Sequence, residues 1–176
     1  MKKILVLLTA LALSAFARAA DDSVQQAIAV LYPTAGSQCH GVVRFTQDGD
    51  AVKVVADIAG LVPNQQHAIH IHEYGDASSP DGLSAGGHYN REKHPHGLPD
   101  TDNRHAGDLG NLQADAAGKA HYEITVNNIS VMGAHNPIIG RGVIVHAKMD
   151  NGGQPVGNAG GRIACGVIGI ANPGKK

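Results

Sequence analysis

The sequence predicts a single all-β domain, an eight-stranded antiparallel sandwich or barrel with two long functional loops. Helical periodicity is nearly absent, whereas several short segments have the composition and alternation of strands. Glycine, of which there are 23, and other turn-forming residues are spread along the chain. Tryptophan is absent and Phe45 is the only phenylalanine after residue 20, so the core must consist of Val, Ile, Leu and Ala. Short strands with turn-rich joints are typical of sandwiches and barrels.

Residues 1–20 are predicted to be a cleaved secretory signal and not part of the fold. They comprise a basic start at residues 1–3, an apolar run at 4–16 and an A-x-A cleavage pattern at 17–19. The apolar run is too short to span a bilayer comfortably, so we expect no membrane contact after cleavage. The mature chain, residues 21–176, is long enough for one domain with its own core.

The charge of the mature chain excludes one class of partner. Three of the 14 basic residues, Lys2, Lys3 and Arg18, leave with the signal, whereas all 15 acidic residues remain. The mature protein is therefore net negative, which argues against nucleic acid as a partner.

The strands are delimited by turn signals. The first two flank a loop at residues 33–37, and Asp48-Gly49-Asp50 is a tight-turn signal before the third. The sixth strand follows a turn at residues 115–118. The predicted strands are residues 24–31, 40–47, 51–59, 66–73, 108–114, 120–126, 142–147 and 161–170.

Two connections, residues 74–107 and 148–160, are too long to be simple turns. Connections longer than about 12–15 residues in a compact domain are usually functional or disordered. The first contains four histidines, which is an unusual composition for a disordered linker: His88, His94, His96 and His105. We therefore expect this connection to be functional.

A His-x-His pair lies on the fourth predicted strand. His70 and His72 alternate with Ile69 and Ile71, so both imidazoles leave one face of the strand while the isoleucines enter the core. Two imidazoles on one rigid strand can share a metal ion. Such a pair alone is weak evidence, because most are incidental surface or core histidines.

Further histidines provide two donor sets. His88, His96 and His105 are followed by Asp108, and three imidazoles with one carboxylate form the tetrahedral set that zinc accepts. His146 emerges from a second buried strand, and with the His-x-His pair and one loop histidine it would complete the all-imidazole set that suits copper.

At these residues the chain resembles the Cu/Zn superoxide dismutase family, in its eukaryotic-type branch. The resemblance covers essentially the whole mature sequence. It rests on HIHEYGD (70–76), GGHYN (86–90), HGLP (96–99), RHAGDLGN (104–111), VH (145–146) and GNAGGRIACGVIGIA (157–171). It implies an immunoglobulin-like Greek-key fold and an enzyme that dismutates superoxide to oxygen and hydrogen peroxide by alternate reduction and oxidation of copper.

The resemblance also implies a role for each site residue. Zinc would have a structural role, and His88 would bridge both metals and deliver a proton. Arg162 would hold the superoxide anion beside copper, and Asp150 would link a copper histidine to a zinc histidine. The implied copper ligands are His70, His72, His88 and His146, and the implied zinc ligands are His88, His96, His105 and Asp108.

Several points stay open at this stage. Family members normally have a disulfide between a position equivalent to Gly82 and one equivalent to Cys165, but Gly82 cannot form it. Either Cys39 pairs with Cys165 or both remain buried thiols. His94 competes with His96, which we favour for its spacing from His88.

The partners and location are likewise expectations. Residues 136–140 and 168–170 resemble a homodimer contact, although ordinary core strands would explain their isoleucines equally. A copper chaperone is a candidate partner, and a periplasmic or secreted location follows from the signal. The rival functions are a non-catalytic copper or zinc binding protein and a zinc-stabilised adhesion domain.

Overall fold

The computed structural model describes residues 24–172 and residue 174, and it confirms the all-β fold class. The strands are β1 (Gln26–Pro33), β2 (His40–Asp48), β3 (Ala51–Ala59), β4 (Gln66–His72), β5 (Asp108–Gln113), β6 (Ala120–Val126), β7 (Gly142–His146) and β8 (Arg162–Ile170). A short 3₁₀ helix, Leu83–Ala85, lies between β4 and β5. The predicted signal, residues 1–20, lies outside the described residues. Within the described part, no helix is long and apolar enough to cross a membrane.

The strands form a nearly closed antiparallel barrel in the order β5-β4-β7-β8-β1-β2-β3-β6. The β3–β4 and β6–β7 connections cross between strands that are not neighbours, as in a Greek key. β5 and β6, at the two ends of this order, are in contact but share no ladder. The Tyr122 hydroxyl of β6 donates a hydrogen bond of 2.6 Å to the Leu109 carbonyl of β5 and so bridges the seam.

The barrel core follows from strand alternation. In β3, Val52, Val54, Ala56 and Ile58 are buried, whereas Lys53 and Asp57 between them are exposed. Burying each valine side chain stabilises the fold by roughly 1.5–3 kcal/mol. The same alternation along β1 and β2 places mostly small aliphatic side chains in the interior.

β4 and β7 are the exceptions, because both of their faces are buried. Ile69 and Ile71 of β4 face the barrel core, whereas His70 and His72, which alternate with them, face outward. The outer face lies beneath the two long connections, residues 73–107 and 147–161. This covered outer face of β4 and β7 carries the His-x-His pair.

The predicted strand boundaries are correct to within two residues. The largest difference is in β1, which begins and ends later than predicted because its pairing with β8 continues to Pro33 opposite Ala164. Proline is tolerated there because it is the last residue of the strand. A third long connection, residues 127–141, was not singled out in the sequence; it folds back through a bridge between Ser130 and Pro137.

Cys39 and Cys165 are free buried thiols, so the Cys39–Cys165 disulfide that was left open is not formed in this structure. Cys39 belongs to the barrel core, whereas Cys165 packs with Ala85 and Ile144 in a separate cluster. The two cysteines flank β1, since Cys165 pairs with Tyr32 of β1 while Cys39 directly precedes β2. Two strand spacings of about 4.8 Å exceed the Cα separation that a disulfide normally bridges.

We expect both cysteines to be unreactive thiols in the folded protein. Burial raises the pKa of Cys39 to about 12 and also raises the pKa of Cys165, so neither is a thiolate at about pH 8. A thiol assay should detect no fast-reacting group in the native protein and both cysteines after denaturation without reductant. A reductant should leave the melting temperature unchanged. Recovery of a Cys39–Cys165 linked peptide from a non-reducing digest would contradict this prediction.

Candidate metal centre

The first group of histidines is presented by the outer face of β4 and β7. His70 and His72 of β4 and His146 at the end of β7 are 0%, 1% and 5% exposed. These strands are neighbours, with His72 paired opposite Gly142. The two-residue period of the strands therefore places three imidazoles on one rigid surface, as the sequence predicted.

His88 joins this group from the long β4–β5 connection. The connection runs along the end of β4, where the Glu73 amide donates to the Gly87 carbonyl and the Tyr89 amide donates to the Ile71 carbonyl, both at 2.9 Å. His88 thereby pairs with His72 in an isolated bridge. The four imidazoles each offer a nitrogen, and these nitrogens lie within 4.8 Å of one another: His70, His72, His88 and His146.

A second group shares His88. Its ligand atoms also lie within 4.8 Å of one another and come from His88, His96, His105 and Asp108. The Asp108 carboxylate at the start of β5 is fully buried, and its Oδ2 accepts hydrogen bonds from the amides of Gly97 (3.0 Å) and His105 (3.1 Å). Its Oδ1 lies 2.9 Å from His88 Nδ1.

The structure brings His96, and not His94, into this group. The His96 side chain is fully buried, whereas the His94 side chain is 35% exposed and its Nδ1 lies 3.2 Å from the Arg104 carbonyl. The spacing argument thus selected the histidine that lies in the cluster.

Asp150 connects the two groups. Its Oδ2 accepts a hydrogen bond from His70 Nε2 and its Oδ1 accepts one from His96 Nε2, both at 2.9 Å. Asp150 thus lies between one histidine of each group. Because both Nε2 atoms donate to Asp150, each ring turns its Nδ1 toward its own group.

Asn111 of β5 fixes Asp150, which the sequence analysis did not foresee. Its side-chain nitrogen donates to the Asp150 carbonyl at 2.9 Å, and its side-chain oxygen accepts from the Asp150 amide at 2.7 Å. Gly157 lies against the same carboxylate with φ +77°, and a methyl group at Gly157 would overlap Asp150 and His96. Asn111 lies within the RHAGDLGN motif, but only the fold brings it to residue 150.

Unpartnered nitrogens in the first group test whether a metal fits. Among the described residues, buried nitrogens without a hydrogen bond include His70 Nδ1, His72 Nε2 and His146 Nε2, whereas His96 Nδ1 of the second group lies 3.0 Å from Asp108 Oδ2. The other nitrogens of His72 and His146 face backbone carbonyls at 2.9 Å and 3.4 Å. An unsatisfied buried polar atom costs about 1–3 kcal/mol, and a coordinated cation removes that cost. The four imidazoles fit copper, and the three imidazoles with one carboxylate fit zinc.

The electrostatics of the first group favour neutral imidazoles. Burial, and to a smaller extent the neighbouring His70 ring, lowers the pKa of His146 to about 3, and burial lowers the pKa of His88 to about 4. Burial also holds the pKa of His72 well below its ordinary value. A metal ligand must be unprotonated, so these three rings are in the state that coordination requires.

Asp108 of the second group and the neighbouring Asp150 are negatively charged. Burial alone would raise the pKa values of Asp108 and Asp150, but hydrogen bonds from the histidines outweigh it and hold both well below the ordinary value. Burial would lower the pKa of His96, but its contacts with the same two carboxylates raise it to about 9. The two aspartates are therefore carboxylates, and a cation at this group displaces the proton on His96.

Arg162, at the start of β8, lies half-buried beside the first group. Its Nη1 donates to the Gly82 carbonyl and its Nη2 to the Gly86 carbonyl, both at 2.6 Å. The Gly86 carbonyl also accepts from His72 Nδ1 at 2.9 Å. Arg162 contributes to lowering the pKa values of His72 and His146, so its positive charge acts on the face where these rings meet.

The other histidines lie outside both groups. The His67 Nδ1 donates to the His146 carbonyl at 2.9 Å, which supports a structural role for that buried ring. His40, His121 and His135 are exposed, and His121 pairs with Asp57 on the surface.

Comparisons with known proteins relate the chain to a copper/zinc family. A family model described as copper/zinc superoxide dismutase matches residues 39–168. The chain is 41% identical over 155 residues to an extracellular Cu-Zn superoxide dismutase of Brugia pahangi, covering 82% of this chain and 76% of the relative. It is 47% identical over 139 residues to a Cu-Zn superoxide dismutase of Paramecium bursaria Chlorella virus 1, covering 74% and 73%. The solved structure of the clock protein EA4 superposes with a TM-score of 0.75 and 41% identity, covering 84% of this chain and 95% of that one.

Replacing Asp150 should weaken zinc binding by the second group. Asp150→Asn keeps one acceptor but turns an amide donor toward one of the two rings, so the Nδ1 orientation of His70 or His96 is lost. We expect zinc affinity to fall about 10- to 100-fold, as for other residues that orient metal ligands. Competition with a chelator, with the exposed Asp48→Asn as the matched control, measures this change. Unchanged zinc and copper affinities in Asp150→Asn would show that the carboxylate does not set the ring orientations.

Proposed function

The chain belongs to the copper/zinc superoxide dismutase family, and we propose how its residues carry out that reaction. Two superoxide anions and two protons become one oxygen and one hydrogen peroxide molecule. The observation that carries the proposal is the sharing of His88 by two buried four-residue groups.

In this proposal the first group holds copper and the second holds zinc. Copper supplies the one-electron couple that takes an electron from one superoxide and gives it to the next, whereas zinc has no redox chemistry and is structural. The copper ligands would be His70, His72, His88 and His146. The zinc ligands would be His88, His96, His105 and Asp108.

We assign His88 a double role. Its Nδ1 lies 2.9 Å from Asp108 Oδ1 and so faces the second group, which leaves Nε2 for the first. Cations bound by both groups would favour loss of both ring protons. His88 Nε2 would take up a proton from solvent in one half of the reaction and deliver it to the reduced superoxide in the other half, and solvent would supply the second proton that peroxide needs.

Arg162 would bind the substrate anion. Its guanidinium is fixed by two carbonyls and retains its charge, so it needs no reorganisation when superoxide arrives. A protein that only stores metal has no need of a cation beside a cationic metal. A zinc-stabilised adhesion domain has no need of the unpartnered Nε2 of His146.

We further propose that the protein is secreted, into the periplasm or outside the cell. The support is the predicted signal at residues 1–20 together with the extracellular relative from Brugia pahangi. Cleavage after about residue 20 would release residues 21–176 as the mature enzyme.

We also propose a homodimer, through a surface that differs in part from the predicted one. Ile138 and Ile168, from the two predicted contact segments, are 0% and 1% exposed and belong to the core. The outer face of the neighbouring strands β1 and β8 instead exposes large apolar side chains. These are Val30, Tyr32 and Val167, which are 44%, 68% and 43% exposed. Exposed apolar patches of this kind often mark interfaces.

The proposed reaction is tested by metal analysis of the purified mature protein together with a superoxide-consumption assay. We expect copper and zinc to bind together, His146→Ala to lose copper and activity, and Arg162→Gln to keep both metals but lose at least about ten-fold in kcat/KM. The exposed Arg91→Gln is the matched charge control. Zinc binding without copper, or activity that survives His146→Ala, would refute the mechanism and favour a binding protein.

The dimer is tested by light scattering of the mature protein. Val167→Glu should shift it from dimer to monomer, because a buried unpaired carboxylate at the contact is strongly unfavourable. Val62→Glu, at a similarly exposed valine in the β3–β4 connection, should leave the mass unchanged. A monomeric wild-type protein, or a Val167→Glu variant that stays dimeric, would be incompatible with this surface.

A further inference from the structure

Three separate segments meet around Gly82. They are the β1–β2 connection, the β4–β5 connection and the first residue of β8. The Ala35 amide donates to the Pro80 carbonyl, the Thr34 hydroxyl to the Arg162 carbonyl and the Arg162 guanidinium to the Gly82 carbonyl, each at 2.6 Å. Each segment is thus bonded to the other two.

Thr34 is the residue that holds the main chain of Arg162. It is 7% exposed, and its amide donates to the Ile163 carbonyl at 3.2 Å, which extends the β1–β8 pairing beyond Pro33. Its hydroxyl then satisfies the carbonyl of Arg162, from whose backbone the guanidinium side chain starts. Loss of that hydroxyl would leave a largely buried carbonyl without this donor.

Gly82 is packed between these two residues. It has φ +72°, and a methyl group there would lie 3.4 Å from Thr34 Cγ2 and 3.5 Å from Arg162 Cδ. Since Cys165 is a free thiol, no disulfide ties this part of the connection to β8. Hydrogen bonds and packing at the junction therefore hold it in place.

A displacement of the junction would also move a backbone carbonyl that contacts the copper group. The Gly86 carbonyl accepts from both Arg162 Nη2 (2.6 Å) and His72 Nδ1 (2.9 Å). The same backbone segment therefore orients the cation that would bind the anion and one of the imidazoles that would bind copper.

We propose that Thr34 is a positioning residue for Arg162, and that its hydroxyl anchors the junction of the β1–β2 connection, the β4–β5 connection and β8. This role of Arg162 as the anion-binding cation rests on the proposed function. The anchoring of residues 80–86 does not, and can be measured without any turnover.

The test compares three variants of the metal-loaded mature protein. Thr34→Val removes the hydroxyl at nearly constant shape, and Thr34→Ser retains it. Thr46→Val is the matched control, because Thr46 is an exposed threonine on β2 of the same hairpin. Copper and zinc contents are measured first, to establish that all proteins carry the same metals.

Two readouts follow. Hydrogen exchange of peptides covering residues 77–86 should be about two- to ten-fold faster in Thr34→Val, the factor for one lost hydrogen bond. The dissociation constant of azide, a small anionic probe followed by the copper absorption spectrum, should rise by a similar factor. Thr34→Ser should match the wild-type protein in both readouts, and so should Thr46→Val.

Two results would overturn the proposal. One is exchange and azide binding in Thr34→Val that equal those of Thr46→Val, and the other is a Thr34→Ser variant as impaired as Thr34→Val. A lower melting temperature with unchanged azide affinity would also reject the positioning role in favour of a merely structural one. A wild-type protein that consumed no superoxide would refute the proposed function. The hydrogen-exchange data would still decide whether Thr34 anchors residues 80–86.

Discussion

One buried carboxylate connects the rigid barrel with the connections that cover it. Asp150 accepts a hydrogen bond from His70 on β4 and another from His96 in the β4–β5 connection. Hydrogen bonds to a charged acceptor are short and strong, and the surrounding protein screens them little. Both rings are therefore oriented together, and each turns its Nδ1 toward a different four-residue group. Asn111 completes this arrangement by fixing the backbone of Asp150 to β5.

Without a bound cation, the buried histidines of the metal centre destabilise the folded state. Burial keeps His72, His88 and His146 unprotonated, and the Nε2 atoms of His72 and His146 have no hydrogen-bond partner in the described structure. The packing of Ile69 and Ile71 in the core, on the opposite face of β4, offsets the free-energy cost of these unsatisfied nitrogens. The barrel therefore holds in place a donor set that would otherwise separate, as expected of a preorganised metal site.

The features predicted from sequence are those that depend on local periodicity and spacing. The alternation of His70 and His72 with isoleucines placed both imidazoles on one face, and turn signals set the strand boundaries. Contacts of Asn111 with Asp150, or of the Gly86 carbonyl with two donors, depend on backbone positions that no side-chain pattern reveals. The burial of a connection likewise could not be predicted from its apolar residues, which is why Ile138 was placed in a candidate interface and lies in the core.

The seam between β5 and β6 leaves two strand edges that are protected in different ways. Unpaired edges are sites at which sheets of neighbouring molecules can join. β6 carries charged and polar outer residues such as Glu123, which pairs with Lys53, and these discourage such joining. β5 is mostly buried, and it begins at Asp108, whose carboxylate is bonded to the covering connection. Its resistance to aggregation therefore depends on that cover, and an opened β4–β5 connection would offer β5 as a template for edge-to-edge assembly.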